Sequence, residues 1–493
     1  MSLGQSIRSG VKWLMVGRVG SRFMEFAFGV ILARLLVPAD FGMIVTIQIF
    51  TGFVGMFTSG GMGQSLIRAK TADEKDFTAV FTLQLAMGIA VYLLFFIAAP
   101  WIAHYFDNPL YTDLIRISAL SFLLRPFLVM RNAWLNREMQ FKSRSIVDVA
   151  GGFVTGLSGT LMAWAGLGVW SLTLSGLLAA LFKNVWLAKL TPLRLRLNPN
   201  FSIMRKHSAY GFKIVANDFV TYLRSESKSL LLSKLAGPAF LGLFNKAESM
   251  SRLPNQLMMS ATMEPVFRAM SKVQDDLDQT RYLFYRTITL LMVYTTPIYV
   301  LLWWIAEPFI GVVYGEKWVQ AGAPMAILSI AGPFLSVIFP CGTLLAAQNR
   351  LGQEMLAQSI NLLVIIAAAY IGLGWGLEGV AWAIVLSQVL LALHFYWLAH
   401  RALPTRIWDL IRATAPGLSL SALLCVVLFL IDLALGEHRS TAPATYLLMM
   451  SVCGGLFYAA AFLFIPIPAL RSEAERWQHK LGESLSKIKK TLS

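Results

Sequence analysis

The sequence predicts an all-α polytopic membrane protein that crosses the bilayer about fourteen times, and three observations support this prediction. Of its 493 residues, 57% are hydrophobic and only 14% are charged, whereas soluble domains carry about 25% charged residues. The apolar residues form many stretches of about 20 residues, the length an α-helix needs to span a bilayer. The connections between these stretches are short, so none could house a catalytic domain. A soluble enzyme is therefore excluded.

The individual spans follow from the positions of these apolar stretches. The predicted spans are 13–36, 41–67, 77–103, 112–130, 145–165, 167–188, 207–233, 239–267, 283–305, 318–347, 354–374, 376–399, 413–434 and 443–466.

The distribution of positive charge predicts the orientation. The formal net charge is +16, and cytoplasmic loops of membrane proteins carry an excess of Lys and Arg. With both termini cytoplasmic, the outer side holds only four basic residues, Arg34, Lys234, Lys317 and Arg439. The charge is thus explained by the positive-inside rule, and no nucleic-acid partner is expected. The three cysteines form no CxxC pair, which excludes a disulfide framework and a thiolate zinc site.

The chain repeats itself after about 200 residues. The segment LARLLVPADFG, residues 32–42, aligns without a gap with LSKLAGPAFLG, residues 232–242. Shorter matches follow in the same order, such as IAAPWI from Ile97 with IAEPFI from Ile305. Six spans per repeat insert both copies in the same direction, and transporters built this way bind substrate between the repeats.

The repeat predicts two six-helix lobes followed by two additional helices. The expected divisions are an N-terminal lobe at 1–189, a basic cytoplasmic linker at 190–206, a C-terminal lobe at 207–400, spans thirteen and fourteen at 401–470, and an amphipathic cytoplasmic tail at 471–493.

Charged and polar residues inside the predicted spans are the candidate functional residues, because a charge in lipid is costly and faces a cavity or a partner. Several share one helix face, such as Arg18, Arg22 and Glu25. The candidates for substrate binding are Arg18, Arg22, Glu25, Arg125, Lys213, Asn217, Asp218, Arg224, Lys228, Lys246, Glu248 and Arg252. Some of these could instead be structural ion pairs between packed helices.

The excess of bases over acids in this set predicts an anionic ligand. With Arg116 included, nine basic residues stand against four acidic ones, the fourth acid being Glu226. Phosphate or pyrophosphate is the group that arginine binds in bidentate fashion. No catalytic residue, metal site or cofactor is expected, and the sequence leaves open whether H⁺ or Na⁺ drives transport.

Four segments resemble polysaccharide flippases of the MOP superfamily, the multidrug, oligosaccharidyl-lipid and polysaccharide exporters. They are residues 32–42, residues 235–245 (LAGPAFLGLFN), VYGEKW from Val313, and EPVFRAMSKVQ ending at Gln274. The group most similar to this chain is the exporters of O-antigen, colanic acid and teichuronic acid, and the resemblance covers roughly residues 5–410.

This resemblance implies a MATE-like two-lobed flippase in a bacterial inner membrane that moves undecaprenyl-diphosphate-linked glycans outward by alternating access. It also implies membrane lipids and polysaccharide polymerase or export machinery as partners. Relatives use cations of helices one, two, seven and eight, and Arg18, Arg22, Arg224 and Arg252 occupy comparable places. The second span carries no charge between Phe41 and Ile67, so Arg125 and Lys213 are the candidates to replace its cation.

Two other functions compete with this one. A MATE-type multidrug antiporter has the same fold but binds organic cations, which a positive cavity repels, and it would couple through acids such as Asp148, Asp218, Glu248 or Glu264. A membrane-embedded glycan ligase or polymerase generally needs a sizeable outer loop with catalytic groups. The sequence has no such loop, so the protein is not expected to be an enzyme.

Overall fold

A computed structural model describes the backbone of residues 3–59, 61–69, 71–404 and 406–492. Within these helices, the side chains of 3–12, 14–16, 18, 57–59, 209–218, 220–221, 224, 260–261, 481 and 484–492 are outside the described residues. The described residues are all-helical, and the chain divides after Leu243 into two compact units. The predicted lobe limits at 189 and 207 stay predictions.

The first unit contains eight helices and the beginning of a ninth among the residues described. They are α1 (Leu3–Leu35), α2 (Pro38–Ser59), α3 (Met62–Arg68), α4 (Glu74–Tyr105), α5 (Leu110–Ala119), α6 (Ser121–Arg137), α7 (Phe141–Trp164), α8 (Val169–Leu190) and α9 (Phe201–Lys272). Helix α9 is broken at Gly237, whose φ of 83° and ψ of 173° are not helical. A glycine followed by Pro238 allows this break because glycine adopts positive φ without steric cost. We call residues 201–236 and 238–272 the first and second arms of α9.

The second unit continues with nine further helices in the described part of the chain. They are α10 (Leu277–Tyr314), α11 (Gly322–Ser329), α12 (Gly332–Ala347), α13 (Leu351–Gly372), α14 (Gly376–Ala402), α15 (Ile407–Leu435), α16 (His438–Thr441), α17 (Pro443–Phe464) and α18 (Arg471–Leu492). Three short 3₁₀ helices lie at Glu316–Ala321, Leu373–Trp375 and Pro468–Leu470.

The order of helices repeats along the chain as the duplicated sequence predicts. In both halves a long helix, α4 or α10, is followed by a broken pair, α5–α6 or α11–α12, and then by two long helices. The long helices α7 and α8 are separated at Gly168 and the corresponding α13 and α14 at Gly376, and both glycines have positive φ. Met139 and Asn349, at equivalent turns, also have positive φ.

Eight helical segments of the described residues are long and apolar enough to cross a membrane, or nine if the bent pair α11–α12 is one span. One of these, Leu351–Ala402, contains both α13 and α14. Helices α1 and α9 and the short pair α5–α6 contain the remaining predicted spans, and the total of fourteen stays a prediction. Helices α1, α6 and α9 are also those that carry most of the candidate charges, because the residues that suggest a binding site also make a helix less apolar.

The core of each unit is apolar and formed by side chains from several helices. In the first unit, α2, α4 and α5 bury a cluster that includes Met43, Phe95 and Leu114, and Phe95 stacks on Phe122 at 5.7 Å between ring centroids. In the second unit, α10, α12 and α14 bury Phe284, and the same cluster contains Cys341. These cores hold the helices that present the polar residues described next.

Candidate functional site

The two copies of the duplicated segment meet directly within the first unit. Gly42, near the start of α2, faces Gly242, near the start of the second arm of α9. A Cβ on Gly42 would lie 1.7 Å from the carbonyl oxygen of Pro238, and one on Gly242 would lie 1.9 Å from that of Pro38. The contact is reciprocal, as expected for two copies related by a twofold axis, and only glycine lets the backbones approach so closely. We call these four residues the glycine crossing.

From the glycine crossing the contact between α2 and the first arm of α9 continues along one face of α2. Thr46 donates its hydroxyl to the carbonyl of Gly42 at 3.0 Å, so Ser233, 2.5 Å away, is the donor to Thr46. Tyr222 donates to the carbonyl of Ile49 at 2.6 Å. Residues 42, 46 and 49 lie on one helix face, so the two helices are joined over at least two turns of α2.

An ion pair ties α9 to the end of α4 beside this contact. The Nζ of Lys234 lies 2.9 Å from Oδ2 of Asp107 and donates to the carbonyl of Tyr105. The hydrogen bond from Lys234 to the Asp107 carboxylate, together with the positive charge of Lys234, lowers the pKa of Asp107 below its usual value of 3.8. Because a lowered carboxyl pKa keeps the pair charged at every pH above it, we expect the pair to persist throughout the physiological pH range.

Arg125 of α6 lies against the second predicted span. Its Nη1 would be only 2.0 Å from a Cβ on Gly55, so the guanidinium group occupies the space that this glycine leaves open. Gly55 is two residues beyond Phe53. The ring of Phe53 packs on the ring of Phe219 of α9, with 5.6 Å between the ring centroids. The guanidinium group thus lies beside residues 41–59 of α2, which carry no charge. That Arg125 supplies the cation missing from this span stays a prediction.

We expect Gly55→Ala to reduce the glycan export that the family resemblance implies, because it displaces the Arg125 guanidinium, and Arg125→Gln to have the same effect. A methyl group at residue 55 would overlap Nη1, so the side chain must move away from α2. Gly152→Ala is the matched control, because a Cβ there meets no described atom within 4 Å. Export should be measured at equal protein abundance. If Gly55→Ala exports normally while Arg125→Gln does not, Arg125 is needed but its placement beside Gly55 is not.

Of the remaining candidates in the first unit, three have described side chains and five do not. Arg22 and Glu25 form an ion pair at 3.0 Å, and their side chains are 70% and 61% exposed. Lys228 is buried and donates to the carbonyl of Ser225 at 3.4 Å. The side chains of Arg18, Lys213, Asn217, Asp218 and Arg224 lie outside the described residues.

In the second unit, Glu248 and Arg252 form an ion pair at 2.6 Å. The carboxylate is only 10% exposed and the guanidinium 43%, and both line a small pocket with Tyr299 and Gln388. The pocket lies among α9, α10, the pair α11–α12 and α14. It combines a nearly buried acid, Glu248, with a partly accessible base, Arg252. A proton or a cation bound to the acid would weaken this ion pair.

Lys246 lies close to Glu248 in sequence but has a different environment. Its Nζ is 4.6 Å from the centroid of the Tyr314 ring and 5.2 Å from that of Trp318. Aromatic faces stabilise a cation through their quadrupole. Within the second unit, the described geometry places Lys246 against two aromatic rings and joins Glu248 with Arg252. A binding role for Lys246 stays a prediction.

Sequence analysis missed a charged cluster between α7 and α8. Asp148 accepts from Lys183 at 3.2 Å and lies 3.7 Å from Nε of Arg144, and nearby Arg131 donates to the carbonyl of Asn184 at 3.1 Å. Sequence analysis considered Asp148 only as an acid for the competing antiporter and did not include Lys183. The feature of the sequence that indicates this cluster is the i, i+4 spacing of Arg144 and Asp148, which places their side chains next to each other on α7. Because Asp148 is paired with these bases, we interpret the cluster as a structural contact.

The model of the family described as "Polysaccharide biosynthesis protein" matches residues 31–323, more than half of the chain. Over 378 residues the chain is 23% identical to the lipopolysaccharide biosynthesis protein WzxC of Escherichia coli, covering 76% of each chain. It is 22% identical over 473 residues to the succinoglycan biosynthesis transport protein ExoT of Rhizobium meliloti, covering 95% of this chain and 94% of that protein.

Solved structures show the same fold in two kinds of transporter. The lipid II flippase MurJ, in an inward closed conformation, matches with a TM-score of 0.71 at 17% identity and covers 90% of this chain and 96% of its own. An inward-facing multidrug resistance MATE transporter of the MOP superfamily matches with a TM-score of 0.63 at 14% identity, covering 78% of this chain and 94% of its own. At such identities the likeness shows the fold alone, and it confirms the predicted MATE-like, all-helical membrane architecture.

Proposed function

Because this chain belongs to the polysaccharide biosynthesis family of MOP-superfamily membrane transporters, which are not enzymes, we propose that it flips undecaprenyl-diphosphate-linked glycans. The glycan unit would move from the inner to the outer leaflet of a bacterial cytoplasmic membrane by alternating access. The substrate is the lipid-linked glycan, and polysaccharide polymerase or export machinery would receive the product.

The observation that supports a diphosphate substrate is the cationic character of helices that would otherwise lie in lipid. Arg22 is 70% exposed within a predicted span, and an exposed charge there requires an aqueous cavity because lipid penalises it by about 2.5–3.5 kcal/mol or more. Arg125 adds a second cation against α2. A guanidinium binds phosphate oxygens in bidentate fashion, and an organic-cation cargo would be repelled by the same groups.

The proposed topology has fourteen spans, with both termini cytoplasmic and lobes at 1–189 and 207–400. The uneven distribution of Lys and Arg supports this orientation. Reporter fusions after residues 107, 237 and 437 are expected to give an outer-side signal, and a cytoplasmic signal at 237 would contradict both the repeat and the orientation.

Alternating access requires a contact that closes one end of the pathway and then opens. In the proposed topology the glycine crossing lies on the outer side, with the Lys234–Asp107 pair beside it. We propose that this contact closes the outer end and must separate when the glycan is released. Its reciprocal backbone contact supports this role, because interfaces between packed helices can switch between two discrete arrangements. The side-chain contacts of Ser233, Tyr222 and Lys234 beside it would break and re-form with it.

Coupling to an ion remains part of the proposal, and acids beside bases are the groups that could carry it. Glu25, Asp218 and Glu248 each lie within one turn of a base, and Glu248 is the least exposed of those described. If H⁺ or Na⁺ drives transport, Glu248→Gln is expected to abolish the ion dependence of the export rate. Glu25→Gln and Asp218→Asn should be measured in parallel. Unchanged ion dependence in all three would indicate another coupling site, and export without any gradient would indicate uncoupled transport.

The experiment that tests the function is rescue of a bacterial mutant that accumulates lipid-linked glycan on the inner leaflet. Expression of the protein is expected to restore surface polysaccharide. Failure to restore polysaccharide of any of several glycan types, together with efflux of organic cations, would instead support the MATE-type antiporter.

A further inference from the structure

The C-terminal helix α18 is attached to the transmembrane helices at its start. Arg286 of α10 forms an ion pair with Glu473 at 3.2 Å and donates to the carbonyl of Ala469 at 2.7 Å. Just before α18, Leu470 is buried in a cluster with Val293 and Leu420. These contacts fix where α18 begins and do not involve the candidate transport residues.

The next two turns of α18 contact α10 and the end of α17. The indole N–H of Trp477 donates to the hydroxyl of Tyr294 at 3.0 Å, and Gln478 donates to the carbonyl of Leu463 at 2.7 Å. Tyr294 lies eight residues after Arg286 on α10, about 12 Å further along that helix at 1.5 Å per residue. Helix α18 therefore starts beside Arg286, near the first residues of the predicted span 283–305, and reaches the last turn of α17 at Leu463.

The sequence of α18 has the pattern of a helix that lies on a membrane surface. Trp477, Leu481, Leu485, Ile488 and Leu492 are spaced so that they share one face. Trp477, the member whose side chain is described, is the one that contacts α10. This contact places the Trp477 side of α18 against α10.

The charge of the distal helix is complementary to acidic lipid. From Arg476 to Lys490 the sequence contains five basic residues and one acid, Glu483. The two acids nearer the start are neutralised locally, Glu473 by Arg286 and Glu475 by Arg471 at 2.9 Å. Basic residues beside an apolar helix face bind the anionic inner leaflet.

We propose that α18 is a membrane-surface helix that binds acidic phospholipid headgroups of the cytoplasmic leaflet, with the Arg286–Glu473 and Trp477–Tyr294 contacts setting its position. The partner is the lipid surface itself. This inference is independent of the glycan substrate and would stand if the transported molecule proved different.

The test uses the full-length protein in nanodiscs, with a spin label at Gly482→Cys and the three native cysteines replaced by serine. A Cβ at Gly482 meets no described atom within 4 Å, so the label should not disturb packing. In discs with about 30% phosphatidylglycerol, the label should collide with a water-soluble relaxation agent about threefold less often than in pure phosphatidylcholine. High salt should remove most of the difference, because surface electrostatics are screened.

Charge variants show whether the lysines are responsible. The triple variant Lys487→Glu, Lys489→Glu and Lys490→Glu is expected to abolish the lipid dependence, whereas the matched Lys→Arg triple variant should retain it. Equal protection in both lipids would overturn the proposal in favour of contact with protein or with the apolar core alone. Equal exposure in both lipids would overturn it in favour of a solvated helix.

Discussion

Replacement of Arg22 by alanine is expected to abolish glycan export while the protein still inserts and accumulates normally. Arg22 contributes little to folding in the described structure, since its only described ion pair, with Glu25, is largely exposed and such pairs stabilise proteins by about 0–1 kcal/mol. The substitution should reduce transport much more than it reduces stability, because a diphosphate would lose a bidentate contact. Arg224→Ala is expected to behave in the same way, as Arg224 is a candidate on α9, where the second repeat begins.

The Arg→Lys variants separate charge from geometry. Lysine keeps the charge but loses the planar fork, so Arg22→Lys should retain part of the export rate. Arg268→Ala is the matched control, because Arg268 also pairs with an acid on its own helix, Glu264, and both side chains are more than 70% exposed. If Arg22→Ala and Arg224→Ala export normally at normal abundance, the cations are structural.

Gly42→Val is expected to block the transport cycle by preventing closure of the outer end. Its side chain would occupy the position of the Pro238 carbonyl, 1.7 Å from the Cβ, and backbone cannot be displaced as a flexible side chain can. Gly242→Val should have the same effect because the contact is reciprocal. Cysteine labelling near residue 107 from outside should become faster in both variants, since the outer end would stay open.

The control for these variants is Gly176→Ala in α8, where a Cβ meets no described atom within 4 Å. Alanine is favoured over glycine within a helix by about 0.5–1 kcal/mol, so this variant should be as stable as the original protein or more so. Export at the normal rate by Gly42→Val would refute the role of the glycine crossing in transport.

The sequence predicted the features that depend on hydropathy and repetition. The match between residues 32–42 and 232–242 predicted equivalent segments, and the structure shows them in reciprocal contact. The MATE-like fold was predicted from motif resemblance and is confirmed by the structural comparison. The number of spans could not be settled by hydropathy, because α1 and α9 contain the charged residues that lower it.

Pairing between distant residues could not be predicted from one sequence. Nothing near Gly55 indicates that Arg125, seventy residues later, lies against it, since that contact depends on how α2 and α6 pack. The Asp148–Lys183 pair was missed for the same reason. Its two residues lie 35 positions apart in the sequence, and only the packing of α7 against α8 brings them together. Lys246 was selected as a candidate binding residue from its charge, and its contact with Tyr314 and Trp318 could not be predicted because it depends on packing.

The most direct test of the central claim is a flipping measurement on the purified protein in liposomes that contain undecaprenyl-diphosphate-linked oligosaccharide. A membrane-impermeant glycan-modifying enzyme added outside reacts only with glycans in the outer leaflet. With the original protein, the modified fraction should rise from about one half towards completion, because inner-leaflet glycans move outward as the outer ones are consumed. With Arg22→Ala it should stay near one half. A fraction that stays near one half with the original protein, for every lipid-linked glycan supplied, would contradict the account.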